Sequence, residues 1–208
     1  MTNGSLAPDQ ADRLARFAEL VRQSPHNLVS KRAREELESR HVPEAVALAH
    51  LLPSTPHRLL DVGSGGGFPG MVIAIARPDL QVELLEATAK KAVFLEETAQ
   101  VLGLEVDVHH GRAEELARGP LRGRFATVTA RAVAPMTDLI PITLPFLTDD
   151  GVLFAVKGER WAEELEQARD VLRRAGGVVL ATPDDLPQGG PDGAGVPVPR
   201  VVMLGRAR

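Results

Sequence analysis

The chain contains no cysteine and no tyrosine, and its remaining aromatics are six phenylalanines and one tryptophan. Without thiols there can be no disulfide, no cysteine-ligated zinc or iron–sulfur centre and no thiol nucleophile. Without phenols, tyrosine-dependent acid–base chemistry is excluded as well. No run approaches the roughly 18 apolar residues of a membrane span, and MTNGSLAPDQADRLARF at the start lacks the apolar segment of a secretory signal. The expected address is therefore the cytoplasm. Positive charge is not in excess: 24 Lys and Arg face 28 Asp and Glu, for a net charge of −4. That excludes a uniformly basic coat for nucleic acid but not a local basic face. The six histidines have no metal-ligand spacing, and His109-His110, adjacent in a strand, would point to opposite faces. No metal site is expected. What is present, 44% hydrophobic and 25% charged residues over 208 positions, suffices to bury the core of one domain with a modest appendage.

Residues 1–56 carry only helical signals and read as an N-terminal helical cap. Leu14, Phe17, Ala18 and Val21 recur at helical spacing, Ser30 can cap a second segment, and a third runs from Glu44 to Leu52 before Pro53 and Pro56 stop it. From 57 to 208 strands and helices alternate. Strands are predicted at 58–63, 81–86, 105–110, 125–131 and 151–158, with a closing pair at 176–182 and 200–205. Helices are predicted at 68–76, with Pro69 in the first turn, at 88–102, and around 112–118, 134–147 and 159–174. This is the pattern of a doubly wound, mostly parallel α/β sheet with its ligand site at the carboxyl ends of the first strands. The Pro/Gly-rich stretch 183–199 reads as a mobile loop.

Five glycines fall within 63–70, in DVGSGGGFPG between the first strand and its helix. A purely structural turn does not require so many, and such a loop can offer backbone N–H groups to an anion. Gly65-x-Gly67-x-x-Gly70 satisfies a dinucleotide fingerprint. Asp61-x-Gly63-x-Gly65-x-Gly67 equally satisfies the acidic loop of S-adenosylmethionine enzymes, in which the carboxylate can engage the methionine ammonium. Asp61 would sit badly beside a pyrophosphate, there is no tyrosine for a short-chain dehydrogenase, and no residues remain for a second substrate domain. S-adenosylmethionine is therefore favoured over NAD. Glu86, about 20 residues beyond the loop, is placed to accept hydrogen bonds from both ribose hydroxyls. Backbone groups of Ala113 and Glu114, after the third strand, can meet the adenine.

DVGSGGGFPG, LLEATAKKAVFL, GRAEEL, TARAVAP and FAVKG together, in order and spacing over about residues 26–205, resemble the bacterial small-subunit (16S) ribosomal RNA guanine-N7 methyltransferases, the glucose-inhibited division protein B family. The resemblance implies a methyltransferase sheet with a helical cap, and methyl transfer from S-adenosylmethionine to N7 of one guanine in 16S ribosomal RNA. It also implies cofactor contacts from Gly63, Phe68, Ala113, Glu114 and Arg131. Asn27-Leu28 and Arg40-His41 match family pairs in the cap, whereas Val29 stands where the family has threonine.

The chemistry agrees with the residues. Guanine N7 has an in-plane lone pair and no proton, so the reaction needs alignment rather than a general base. Pyrimidine C5 methylation would need a nucleophile such as cysteine, and exocyclic amine methylation usually uses an Asp/Asn-Pro-Pro-aromatic motif; neither is present. Arg131 is a candidate for positioning the target base as well as for cofactor contact. Lys90 and Lys91, at the helix end least favourable to cations, together with Lys157 and Arg200, are candidates for RNA contact. Phe68 and Trp161 are the candidate stacking rings. A folded RNA loop, in the small ribosomal subunit or a precursor, is the expected partner of a monomer. The alternatives are a methyltransferase of a small molecule or protein, and a non-catalytic ribosome-binding factor of the same fold.

Overall fold

The computed structural model describes residues 6–186 and 198–207. They form a seven-stranded sheet in the order β3-β2-β1-β4-β5-β7-β6. The strands are β1 (Arg58–Val62), β2 (Gln81–Glu86), β3 (Asp107–His110), β4 (Phe125–Arg131), β5 (Leu147–Val156), β6 (Gly177–Ala181) and β7 (Val201–Arg206). β1 to β5 pair in parallel, and β7 inserts antiparallel between β5 and β6. β1 is buried along Leu59–Val62, as a central strand covered on both faces must be. The chain order reverses between β1 and β4, and there the carboxyl ends of the strands open a crevice.

Helices cover both faces. On one side α4 (Gly70–Ala76) and α5 (Ala89–Leu102) share a core with the N-terminal helices α1 (Pro8–Gln23) and α3 (Val42–Leu51). On the other, α6 (Ala113–Leu116), α7 (Met136–Thr143) and α8 (Trp161–Arg174) pack on Leu60, Val62, Leu85 and Val128. The apolar stripe of α1 is buried as its spacing demands: Leu14, Phe17, Ala18 and Val21 all face the core. Ser30 caps α2 (Lys31–Glu35), its hydroxyl accepting from Ala33 N at 3.2 Å.

Three departures from the pattern have local causes. The helix after the glycine loop begins at Gly70 rather than Phe68, because Pro69 lies at the cap position. β5 starts four residues early, at Leu147, since α7 gives way to a single 3-10 turn over Leu144–Phe146 and a register irregularity lies opposite Phe125–Thr127. Between α2 and α3 the chain makes a π-helical turn, Leu37–His41, which periodicity does not signal. Within the stretch expected to be a mobile loop, Pro183–Asp185 form a 3-10 turn capped by Thr182, and residues 187–197 lie outside the described residues. Among the described residues no helix is long and apolar enough to cross a membrane, and no group of His, Asp and Glu is arranged to hold a metal.

Candidate active site

The crevice is an open cleft of about 970 Å³. Its floor is the glycine loop and Glu86, and one wall is the segment following β4, residues 131–135. The end of β5 and residues 198–200 form the far side, and cap residues from Leu28–Ser30 and Arg40–Glu44 form the roof.

The glycine loop is tied down from within. Gly63 N and Ser64 N donate to Leu85 O at 2.8 and 3.1 Å, while Gly67 N and Phe68 N donate to Ser64 O at 2.7 and 3.2 Å. Gly65 N donates to Glu86 Oε2 at 2.8 Å, and Gly70 N to Asp61 Oδ2 at 3.1 Å. From 63 to 70 only Gly66 N finds no acceptor among the described residues. The loop is therefore not the anion cradle that glycine content alone suggested. A pyrophosphate would find its donors already engaged, which counts against a dinucleotide. Two of the glycines serve packing. Gly67, at φ +93°, leaves room for the Phe17 ring from the cap, and a Cβ on Gly70 would lie 2.4 Å from Leu84 Cδ2.

Asp61 does not face the cleft, contrary to its expected contact with a methionine ammonium. It is fully buried beneath the loop, with Oδ1 accepting from Thr129 Oγ1 at 2.7 Å and Oδ2 from Gly70 N. Burial pushes its carboxyl up to about 6, although the bonds from Thr129 and Gly70 and the charge of Arg131 pull the other way. It acts as a strut between β1, β4 and the start of α4. Glu86 does line the cleft. Oε2 holds Gly65 N and Oε1 holds Thr88 N, each at 2.8 Å, and each carboxylate oxygen retains further acceptor capacity for a hydroxyl.

Arg131 ends β4 with its guanidinium 5.3 Å above the centre of the Phe68 ring. Nη1 lies 3.0 Å from His41 Nδ1 and 3.9 Å from Glu44 Oε2, so two cap residues hold it. Burial lowers its basicity, opposed by Glu44 and Asp61. The next residue, Ala132, sits at φ +54°, a conformation that non-glycine residues adopt only when their surroundings impose it. Ala132 and Val133 both line the cleft.

The remaining candidates divide. Gly63, Gly65 and Phe68 line the cleft. Phe68 is buried between Phe17, 5.0 Å away, and Arg131, so it supports the guanidinium rather than offering a free stacking face. Trp161 packs with Leu165 beside the opposite core. Ala113 is buried in that core and Glu114 is exposed on the first turn of α6; neither lines the cleft. Lys91 faces the cleft, but Lys90, one step around α5, lines a smaller hollow of about 310 Å³ against the end of α1. Lys157 does not present a free cation to RNA. Its side chain is only 8% exposed, and Nζ binds Glu164 at 2.7 Å and Ala134 O at 2.8 Å. Glu164 in turn accepts from Met136 N at 3.2 Å, so the pair braces the wall after β4. Arg200 lies exposed at the cleft. Sequence reading passed over Glu44, because what places it is contact between cap and sheet, far apart along the chain; Val133 lay inside the TARAVAP stretch without a role of its own.

A Rossmann-like sheet with this cleft at its switch point is a fold that solved methyltransferases share. Mitomycin 7-O-methyltransferase shares it with a TM-score of 0.61 and 18% identity, over 97% of this chain and 69% of that one. The sequence model for rRNA small subunit methyltransferase G matches residues 10–186. Ribosomal RNA small subunit methyltransferase G of Sorangium cellulosum is 50% identical over 151 residues, 71% of this chain and 63% of that protein. The Kineococcus radiotolerans protein of the same name is 38% identical over 199 residues, 93% of this chain and 75% of the relative. The chain thus spans less than two thirds of the Sorangium relative's length. It belongs to the rRNA small subunit methyltransferase G family.

Proposed function

We propose that the chain transfers a methyl group from S-adenosylmethionine to N7 of a specific guanine in 16S ribosomal RNA. The observation that carries this reading is the polarity of the cleft. All the loop N–H groups but that of Gly66 are consumed internally, while a ribose-competent carboxylate, Glu86, and a guanidinium, Arg131, stand on its floor and wall. That arrangement suits a nucleoside bearing an amino-acid arm better than one bearing phosphates. Glu86 would take the ribose hydroxyls, the loop at 63–66 would lie along the cofactor, and Arg131 would meet the carboxylate of the arm or the target base. The cofactor supplies an electrophilic methyl group on a sulfonium.

The chain's own part is alignment. The acidic and imidazole groups deep in the cleft are already engaged: Glu44 by Arg40, Glu86 by two backbone N–H groups, Glu164 by Lys157 and His41 Nδ1 by Arg131. A reaction that removes no proton fits such a site, because guanine N7 presents a lone pair at neutral pH. The wall at 131–135, braced by the Lys157–Glu164 pair, can fix the base at a near-attack distance. A net charge of −4 favours a particle with protein-covered RNA, the small subunit or a precursor, over bare RNA.

The test is transfer of radiolabelled methyl onto small-subunit RNA, offered bare and as subunits from cells lacking the enzyme. Label at one guanine, released as 7-methylguanine by mild acid depurination, is the expected result. Cofactor binding with no label on RNA would overturn the substrate, and label retained through depurination would overturn the N7 position.

A further inference from the structure

We propose that His41 is a positioning residue for Arg131, coupling the helical cap to the reactive wall of the cleft through one tautomer of its imidazole. The proposal rests on the function proposed above, because it concerns how the guanidinium of that site is held.

Three observations converge on His41. The first is the bond itself. Arg131 has only donors, so the 3.0 Å contact between its Nη1 and His41 Nδ1 requires a lone pair on Nδ1, which leaves the imidazole proton on Nε2. Glu44 Oε2, 3.8 Å from the same nitrogen, is too far to compete as a hydrogen-bond partner. Glu44 Oε1 is taken by Arg40 at 2.9 Å. Arg131 is thus the group that meets Nδ1, with Glu44 beyond hydrogen-bond reach and held by Arg40.

The second observation is what this tautomer leaves behind. Nε2 is buried and has no hydrogen-bond partner among the described residues. A buried N–H without an acceptor works against folding. An apolar ring would fit the surroundings better, since the His41 ring lies 6.2 Å from Phe68, itself packed on Phe17 at 5.0 Å. A residue that burdens the fold while organising a cleft arginine is of the kind retained for function rather than stability.

The third is the backbone. His41 closes the π-helical turn Leu37–His41, its N–H reaching back to Glu36 O at 3.1 Å. Single π turns in otherwise helical segments recur at functional sites, because the extra residue re-aims a side chain. Here the turn ends at the residue that meets Arg131, at the junction with α3. With Phe68 beneath the guanidinium and Ala132 at positive φ immediately after it, the arginine is held from the cap, from the glycine loop and from its own strand.

The experiment compares His41→Phe, His41→Asn, Arg131→Met and the His41→Phe/Arg131→Met double variant for S-adenosylmethionine affinity by calorimetry, with thermal unfolding alongside. Asparagine keeps an acceptor near the place of Nδ1; phenylalanine keeps only the ring. His41→Phe is expected to unfold no earlier than wild type yet to bind the cofactor about tenfold more weakly, with His41→Asn recovering most of the loss and no further loss in the Arg131→Met background. Wild-type affinity in His41→Phe, equal losses in the Phe and Asn variants, or losses that multiply in the double variant would each overturn the assignment. If wild type binds no S-adenosylmethionine, the functional reading fails by itself, and the coupling is read from the 15N resonances of the His41 ring. An acceptor-type Nδ1 signal that shifts in Arg131→Met supports it, and an unshifted or protonated Nδ1 refutes it.

Discussion

Asp61 carries a charge where the sheet has the least means to solvate it, and its hydrogen bonds do not fully compensate for the loss of water. Its carboxyl therefore stands at about 6 in the folded protein against an ordinary 3.8. The fold thus favours the protonated form: the folded chain holds its proton to higher pH than the unfolded chain does. The stability that follows is present below the unfolded value and is lost as pH rises through about 6. A shift of this size corresponds to roughly 3 kcal/mol. Urea unfolding of wild type and Asp61→Asn between pH 4 and pH 7 should show the difference moving in favour of the variant by about 2–3 kcal/mol as pH rises; a constant difference would refute the assignment. The neighbouring Gly70 has no room for a side chain, since an added Cβ would lie 2.4 Å from Leu84 Cδ2 and 2.7 Å from Asp61 Oδ2. Gly70→Ala should destabilise by about 3 kcal/mol through overpacking, measured in the same titration.

At the scale of elements, the site is a meeting of three supports. α1 brings Phe17 against Phe68 and Gly67, β4 delivers Arg131, and β5 with α8 contributes the Lys157–Glu164 brace. Phe17→Ala should cost about 3–5 kcal/mol of stability. It should also weaken S-adenosylmethionine binding, because Phe68 then loses its backing beneath the guanidinium; retained affinity in a folded variant would separate α1 from the site. Lys157→Met tests the brace. It should lower turnover while leaving the salt dependence of RNA binding unchanged, since the ammonium is buried and makes no phosphate contact. A smaller salt slope in that variant would return Lys157 to the RNA interface.

Across the whole molecule, cations rarely stand free around the cleft. Arg32 and Arg40 pair with Glu36, Arg40 also with Glu44, and Lys157 with Glu164, whereas Lys91 and Arg200 have no ion-pair partner among the described residues. RNA binding should accordingly depend weakly on salt. Two phosphate contacts give a slope of log K against log salt of about −1.4 to −1.8. Lys91→Glu combined with Arg200→Glu should abolish most of that slope and leave cofactor affinity intact. An undiminished slope would place the RNA on another face.

Spacing along the chain is enough to specify the elements and the kind of site. Alternating apolar runs and amphipathic stretches dictate a parallel sheet with covering helices, and DVGSGGGFPG with Glu86 marks the strand ends where a nucleoside can lie. Those features are local, set by spacing along a few residues. Which polar groups are still available depends on the packed fold. Asp61 and Lys157 read as ligand contacts because strand-end charges usually reach solvent, yet Thr129, Gly70, Ala134 and Glu164 claim them. His41 stood out only as half of a family pair, with no role attached, and Glu44 gave no signal; they reach Arg131 only because a π turn and the apolar face of the cap carry them across about 90 residues of sequence. Hydrogen-bonding capacity is consumed in three dimensions, so the loop's donors and the cleft's free charges could be counted only once the chain had folded.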